Sequence, residues 1–473
     1  MASSIKEVFD TGNFRDNGHK LVDLLADYID QAKAGRDMPV LRWVNPDEQV
    51  EFWKNYSVDS NDLTPFFRDV IDRSIHLLHP RYVGHQLTPT APVTALAAFL
   101  AGVINNGMVG YEMGSVSTAM EKLAVRVFTE ALGFGSEGDG FFTSGGTLAN
   151  LTALLSARKS VAGRNIWEEG NDGKQLTVMV SAEAHYCIDR AARIMGLGSD
   201  GVMLIETNSD FQMKVELLEE SWQKANQEGR EVFAIVGSAC TTATGSYDNL
   251  EAIAGFAAEK NIWFHVDGAH GGPVIFTEKY RHLVNGIHLA DSVVIDCHKM
   301  LMTQALTTAL LYKRKDQSYH TFQQDAHYLW QKDADPEWFN YGKRTFECTK
   351  LMMSLKFFTL VKVHGIEVFG ENVTVLYDLA RTFADLIRLR SRFELAMEPQ
   401  SNIVCFRLAD PGLTIEVQNQ LNAMIRKQIL EEGEFYIVQT TLRGKVFLRT
   451  TLMNPFTTQE HLVQLLDRIE EVV

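Results

Sequence analysis

Hydrophobic and polar positions follow two different periods along this chain. Between residues 175 and 299, apolar runs of strand length ("QLTVMVS", "EVFAIVGS", "NIWFHVD", "DSVVID") are separated by stretches such as "YCIDRAARIMGLG" and "DNLEAIAGFAAEKN". In the latter, apolar residues return every three or four positions, as on one face of a helix. Near-continuous apolar strands alternating with amphipathic helices predict an α/β fold built on a mainly parallel sheet covered on both faces. Past about residue 350 the pattern changes. Helices are expected at "TKLMMSLKFFTLVKVHG", at 371–390 and near 415–430, with strands at "SNIVCFRL" and "KVFLRTTL", which describes an α+β C-terminal domain. The last segment, "TTQEHLVQLLDRIEEVV", reads as a helix for which Thr457 and Glu460 form a capping box. Near the start, Leu21, Leu24, Leu25, Tyr28 and Ile29 fall at helical spacing, so an N-terminal helix is expected to pack on its parent domain or on a second subunit. The most apolar stretch, "APVTALAAFLAGVINN", falls short of the roughly 20 apolar residues of a membrane span and predicts a buried helix. These readings place a helical segment at 1–78, a large domain at 79–350 and a C-terminal domain at 351–473.

Composition narrows the picture modestly. A chain of 473 residues exceeds one small core, since domains run to roughly 100–200 residues each. The formal net charge of −15 makes a phosphate backbone an unfavourable partner, so nucleic acid is not expected. The five cysteines, Cys187, Cys240, Cys297, Cys348 and Cys405, have no C-x-x-C spacing, so neither a metal site nor a disulfide framework is predicted. Reduced thiols fit a cytoplasmic protein. The start, "MASSIKEVFD", has no basic segment leading into an apolar run, and no membrane association is expected.

The chemistry collects at strand ends. In parallel α/β sheets, ligands bind beyond the carboxyl ends of the strands. His185, Thr241–Thr242, Asp267 and Lys299 each follow an expected strand. An amine in that position, if desolvated, loses its proton near neutral pH and becomes a nucleophile toward aldehydes; on its own, Lys299 reads equally as a surface lysine. A carboxylate after "IWFHV" is costly to bury without a cationic partner. For Asp267 that partner is a pyridinium N–H, an arginine or a helix N-terminus, and an isolated Asp at a strand end is often only a cap. Together the two suggest pyridoxal phosphate, with the lysine on its aldehyde and the aspartate on its ring nitrogen. In "FFTSGGTLANLTALLSARKS", glycines and hydroxyls open a helix whose apolar face is Leu148, Leu151, Leu154 and Leu155. Such an N-terminus binds phosphate through backbone N–H groups, or is simply capped. The stretch has neither G-K-[ST] nor G-x-G-x-x-G. His185 offers a flat ring to stack on a flat cofactor, or an ordinary loop histidine.

In this order, "HPRYVGHQ", "SGGTLAN", "AEAHYCIDRA", "HVDGAHGG" and the His298–Lys299 pair, with Lys299 32 positions after Asp267, resemble the group II pyridoxal phosphate-dependent amino-acid decarboxylases. That family includes aromatic-amino-acid, glutamate and cysteine-sulfinate decarboxylases, and the likeness covers nearly the whole chain. The resemblance implies a fold type I enzyme with a seven-stranded large domain, an N-terminal helical arm for dimerisation and a homodimer with sites near the interface. It implies Lys299 as the Schiff-base lysine, Asp267 as the pyridinium partner, Ala269 packed near the ring and His185 stacked on it. Gly145, Gly146 and Thr147 match the phosphate loop; Thr242 and His298 match further cofactor contacts. Tyr328, in "DAHYLWQKD", falls where such enzymes carry a tyrosine that protonates the substrate α-carbon, and related aldehyde-forming enzymes have phenylalanine there. Arg449 matches an arginine near the substrate carboxylate; with His85, Gln86 and Thr88 it suggests a polar substrate pocket. The implied reaction is decarboxylation of an L-amino acid to the amine and carbon dioxide, the substrate being acidic, diamino or aromatic. Oxidative deamination to an aldehyde, transamination, and a non-catalytic scaffold are the rival readings. Three departures stand out. Asp296 replaces the asparagine of many members, so it is expected to point away from a phosphate or to be paired. His85 replaces a substrate-binding glutamine of the glutamate enzymes. His270 stands where the aromatic branch has tyrosine.

Overall fold

A computed structural model describes residues 3–36, 38–161, 166–171, 173–319, 321–322 and 337–472. The chain divides into two compact units. The larger comprises 86–381 with 397–404, and the smaller comprises 1–85, 382–396 and 405–473. The units thus run differently from the boundaries drawn at 78 and 350. The N-terminal helices share a unit with the C-terminal strands, because Val40 and His79 are hydrogen-bonded to segments around Gly433 and Asn454. Long-range pairing of this kind leaves no trace in local composition.

In the larger unit, seven strands form one sheet: β1 (Asp139–Thr143), β2 (Gln175–Ser181), β3 (Val202–Ile205), β4 (Arg230–Ser238), β5 (Trp263–Asp267), β6 (Ser292–Asp296) and β7 (Thr308–Tyr312). Their order is β1-β7-β6-β5-β4-β2-β3. β2 pairs in parallel with β3 and β4, β4 with β5, and β5 with β6, whereas β7 runs antiparallel to both β6 and β1. β1, β5, β6 and β7 are buried along their whole length, as in a sheet covered on both faces. Val, Ile and Phe fill them because branched and aromatic side chains pack well on a pleated surface. The helix Gly146–Val161 packs on this sheet with Ala149, Leu151, Ala153, Leu154 and Ala157 buried. The helix Leu250–Lys260 is opened by Asn249, whose side chain accepts from the Ala252 N–H, and closed at Asn261 in the left-handed conformation.

One expectation is corrected here. The apolar stretch after Ala91 does form a helix, Pro92–Ile104, but it is not a buried one. Thr94 and Ala97 are covered, while Leu96, Phe99, Leu100, Val103 and Ile104 are 46–60% exposed. An all-apolar helix needs cover on every side, and the chain covers one side only.

The smaller unit holds β8 (Phe393–Leu395), β9 (Ile403–Leu408) from Cys405 onward, β10 (Val438–Leu442) and β11 (Lys445–Thr451), in the order β10-β11-β9-β8. Its helices include Thr11–Ala34, Ile415–Glu432 and Gln459–Glu471. Gly433 ends the second of these in the left-handed region, and its carbonyl accepts from the Val40 N–H at 2.8 Å. The last helix is not capped by Thr457 and Glu460. Thr457 donates its hydroxyl to the Pro80 carbonyl at 2.6 Å, so the helix starts one residue later, where the Thr458 N–H donates to His461 Nδ1 at 3.1 Å. Among the described residues, no helix is long and apolar enough to cross a membrane.

Candidate active site

Because β2, β4, β5 and β6 are parallel, their carboxyl ends open onto one edge of the sheet. His185 follows β2, Thr241 and Thr242 follow β4, Asp267 is the last residue of β5, and Lys299 lies three residues past β6. The structure therefore brings together the four positions expected from the sequence.

Lys299 carries its amine 3.0 Å from Asp296 Oδ2. Burial opposes the ammonium charge, yet Asp296 and Asp267 outweigh it and raise the amine above its usual range. The expectation that desolvation alone frees the amine of its proton is thereby corrected: the neighbouring carboxylates hold it charged. Asp296 is paired, as expected, but does not point away. It also accepts from the Thr308 hydroxyl at 2.5 Å. Although burial acts the other way, Lys299 and then His298 keep its carboxyl below the ordinary range. The His298 Nδ1 lies 3.0 Å from the Thr307 carbonyl oxygen and 3.2 Å from its N–H nitrogen, and its Nε2 lies 3.7 Å from Asp296 Oδ2.

Asp267 behaves differently. Burial pushes its carboxyl up, against the pull of Lys299 and His185. Its Oδ1 accepts from the Ala269 N–H at 3.1 Å and its Oδ2 from the Asn150 amide at 3.3 Å. His185 is half-buried, its Nδ1 accepting from the Cys187 N–H at 3.3 Å and its ring 4.2 Å from that of Tyr186. Burial lowers its pKa; Asp267 opposes that shift and Lys299 reinforces it. These mutual influences place the imidazole, the carboxylate and the amine in one electrostatic neighbourhood.

At the β1 exit, Gly145 takes φ +112° and the helix begins at Gly146. Helix geometry leaves the N–H groups of the first turn without intrahelical partners. A Cβ on Gly146 would stand 3.3 Å from both Asp296 oxygens and 3.6 Å from Ala269 Cβ. Glycine thus keeps open a cradle beside Ala269 at a helix N-terminus. Thr147 is exposed at that N-terminus, and Thr242 is half-buried in the turn after β4. His270 Nε2 lies 2.8 Å from Asn402 Oδ1. Thr88, in the same unit, is buried and donates to the Pro89 carbonyl at 3.1 Å.

The other substrate candidates belong to the smaller unit. Arg449 lies in β11 opposite Val438 and is 5% exposed. Partial burial lowers the His85 pKa, and Arg449 and Arg426 lower it further. Tyr328 lies outside the described residues.

Sequence reasoning missed Asn150, His265 and Ser292. Asn150 was hidden inside a phosphate-loop motif. The signal for His265 was available: Trp263, His265 and Asp267 recur at every second position, giving a polar edge to an otherwise apolar strand.

The donor set fits pyridoxal 5'-phosphate. It offers a buried amine for the aldehyde, a buried carboxylate for the ring nitrogen, an imidazole for the ring face and a glycine cradle at a helix N-terminus for the phosphate. Comparison with known proteins agrees. Residues 59–409 match the family model described as the pyridoxal-dependent decarboxylase conserved domain. The human acidic amino acid decarboxylase GADL1 is 31% identical over 447 residues, covering 91% of this chain and 85% of that protein. An aromatic-L-amino-acid decarboxylase of Bacillus atrophaeus is 27% identical, covering 96% and 94%. The crystal structure of mouse CSAD superposes with a TM-score of 0.89 at 26% identity, covering 96% of this chain and 98% of that one. The chain belongs to the pyridoxal-dependent decarboxylase family, whose members are pyridoxal phosphate-dependent carboxy-lyases acting on amino acids.

Proposed function

We propose that this enzyme converts an L-amino acid with an acidic side chain into its amine and carbon dioxide. The observation that carries the reaction is the convergence of Lys299, Asp267 and His185 beyond three parallel strands, with Asp267 acting on the protonation of both the amine and the imidazole. The substrate preference is supported by the cationic setting of His85, which Arg449 and Arg426 both influence. A negative side chain complements such a group, whereas a diamino substrate would be repelled.

When bound, pyridoxal phosphate supplies an aldehyde for an amine and a ring that accepts an electron pair. The protein's part in this proposal is as follows. The first turn of the helix Gly146–Val161, with Gly145, Gly146 and Thr147, holds the phosphate; Thr242 and His298 add contacts. Asp267 keeps the ring nitrogen protonated by lending it a counter-charge in a buried setting. Ala269 and His185 enclose the ring from its faces. Lys299 would hold the aldehyde, once it has given up the proton that Asp296 and Asp267 favour. Tyr328 directs a proton to the substrate α-carbon. Arg449, His85 and Thr88 orient the substrate.

Replacement of Lys299 by Ala should abolish the yellow colour of the loaded enzyme and reduce turnover by about a thousandfold or more; turnover at the wild-type rate would refute its assignment. Carbon dioxide release from acidic, diamino and aromatic L-amino acids tests the substrate, and faster release from a diamino or aromatic acid overturns the acidic preference. Amine as the sole product, with neither aldehyde nor peroxide, separates simple decarboxylation from oxidative deamination. We further propose a cytoplasmic homodimer whose N-terminal segment, 1–78, contributes to dimerisation. The exposed apolar face of Pro92–Ile104 supports a second copy as its cover, and the wide spacing of the five cysteines, with no C-x-x-C pair, fits a reducing compartment.

A further inference from the structure

Behind Asp267 runs a line of buried polar side chains that the reaction does not use directly. Trp263 Nε1 lies 2.9 Å from Ser292 Oγ. Ser292 Oγ lies 2.8 Å from His265 Nδ1. His265 Nε2 lies 2.7 Å from Asn150 Oδ1. The Asn150 amide nitrogen lies 3.3 Å from Asp267 Oδ2 and 3.3 Å from Cys187 Sγ. Trp263, His265, Ser292 and Asn150 are each at most 3% exposed. Burying so many polar groups in the middle of a sheet is costly unless every one is satisfied.

An ionised Asp267 fixes the direction of this line, and the tryptophan end is compatible with it. An indole N–H donates only, so Ser292 Oγ accepts from Trp263 and has its own proton to give. At the other end, Asp267 as a carboxylate only accepts, so Asn150 must turn its NH₂ toward it and its oxygen toward His265. His265 then carries its proton on Nε2 and accepts from Ser292 at Nδ1, which is the neutral form. Burial agrees, holding this imidazole down at about 3. Each donor in the chain Trp263 → Ser292 → His265 → Asn150 → Asp267 therefore points toward the carboxylate.

We propose that Asn150, His265 and Ser292 are positioning residues that keep Asp267 ionised and aimed at the cofactor's ring nitrogen. The proposal rests on the reading of Asp267 as that nitrogen's partner. A hydrogen-bond donor fixed on the carboxylate favours its charged form. Hydrogen bonds aligned in one direction polarise one another, so the tryptophan at the far end contributes as well. Without the chain, Oδ2 loses its donor, and burial pushes Asp267 further toward neutrality against the Ala269 N–H, Lys299 and His185 that remain.

The test follows the bound cofactor rather than turnover. In the loaded enzyme, the visible absorption band changes with pH as the nitrogen joining Lys299 to the cofactor loses its proton. A ring that has lost its positive charge lets that nitrogen keep its proton to higher pH. Asn150→Leu should therefore move the midpoint upward by about one pH unit, the size expected for losing one charge-assisted hydrogen bond, and weaken pyridoxal phosphate binding about tenfold in equilibrium dialysis. Ser292→Ala, which removes a single hydroxyl and keeps the packing, should shift the midpoint in the same direction by less. In an Asp267→Asn background, Asn150→Leu should add no further shift, because its effect runs through the carboxylate. If Asp267→Asn moves the midpoint and neither Asn150→Leu nor Ser292→Ala does, the relay is wrong and the reading of Asp267 stands. If Asp267→Asn leaves the midpoint in place, both fall. Should Asn150→Leu fail to fold, Ser292→Ala decides: an unchanged midpoint overturns the relay.

Discussion

Asp296 and Asp267 are carboxylates of one site held in opposite protonation tendencies. Asp296 takes the ion pair with Lys299 at 3.0 Å, while Asp267 is pushed toward neutrality by burial. Replacing Asp296 by Asn should lower the amine's pKa, and each unit of that fall gives about ten times more free amine near neutral pH. Covalent capture of pyridoxal phosphate by the cofactor-free protein should therefore accelerate, and stopped-flow absorbance would record it; an unchanged rate would mean that Asp296 does not hold the proton. The same substitution affects stability with a definite sign. The Asp296 pKa is depressed in the folded state, so its contribution is present above the unfolded value of about 3.9 and is lost as pH falls through the folded one. The variant should be less stable than the wild type at neutral pH, and the gap should close in strong acid. Urea midpoints at several pH values measure this.

Elements differ in how plainly they were written in the sequence. β2, β4, β5 and β6 were legible as unbroken apolar runs, and their ends located His185, Thr242, Asp267 and Lys299. β1, β3 and β7 were not: "DGFFT" carries only two apolar residues in a row, and periodicity alone does not tell short apolar runs such as "VMLI" and "TALLY" from a piece of buried helix. The helix Pro46–Lys54 has no buried residue, so it left no apolar stripe to find. Asn150 went unread for another reason: its meaning depends on a helix meeting a strand more than a hundred positions away. Some local features carry long-range weight too. Gly433 ends a helix at φ +73°, and a Cβ there would come within 2.1 Å of the Leu41 carbonyl oxygen. A strained φ and a clash with backbone together predict that Gly433→Ala costs about 2–4 kcal/mol, read as a lowered urea midpoint. A near-neutral result would mean that the segment at Leu41 shifts freely.

At the scale of the whole molecule, a chain with net charge −15 carries an apolar helix face bearing Leu96, Phe99, Leu100, Val103 and Ile104. Charge keeps such molecules apart in general, so a patch left uncovered points to one specific contact. The double variant Leu100→Glu and Val103→Glu should sediment as a monomer while keeping its circular dichroism; persistence of a dimer would relocate the interface. The placement of β7 has a consequence of a different kind, for the order in which the protein is made. β1, which leads into the glycine cradle, joins the sheet only through β7, yet 164 residues separate the end of β1 at Thr143 from the start of β7 at Thr308. A growing polypeptide already possesses Gly146, Asp267 and Lys299 when it emerges as far as residue 299, but β1, which leads into Gly146, still lacks the strand that pairs it to the sheet. Closure of so distant a pairing is slow and comes late. Nascent chains halted before Thr308 should therefore leave pyridoxal phosphate unbound, and those released with the full sheet should take it up.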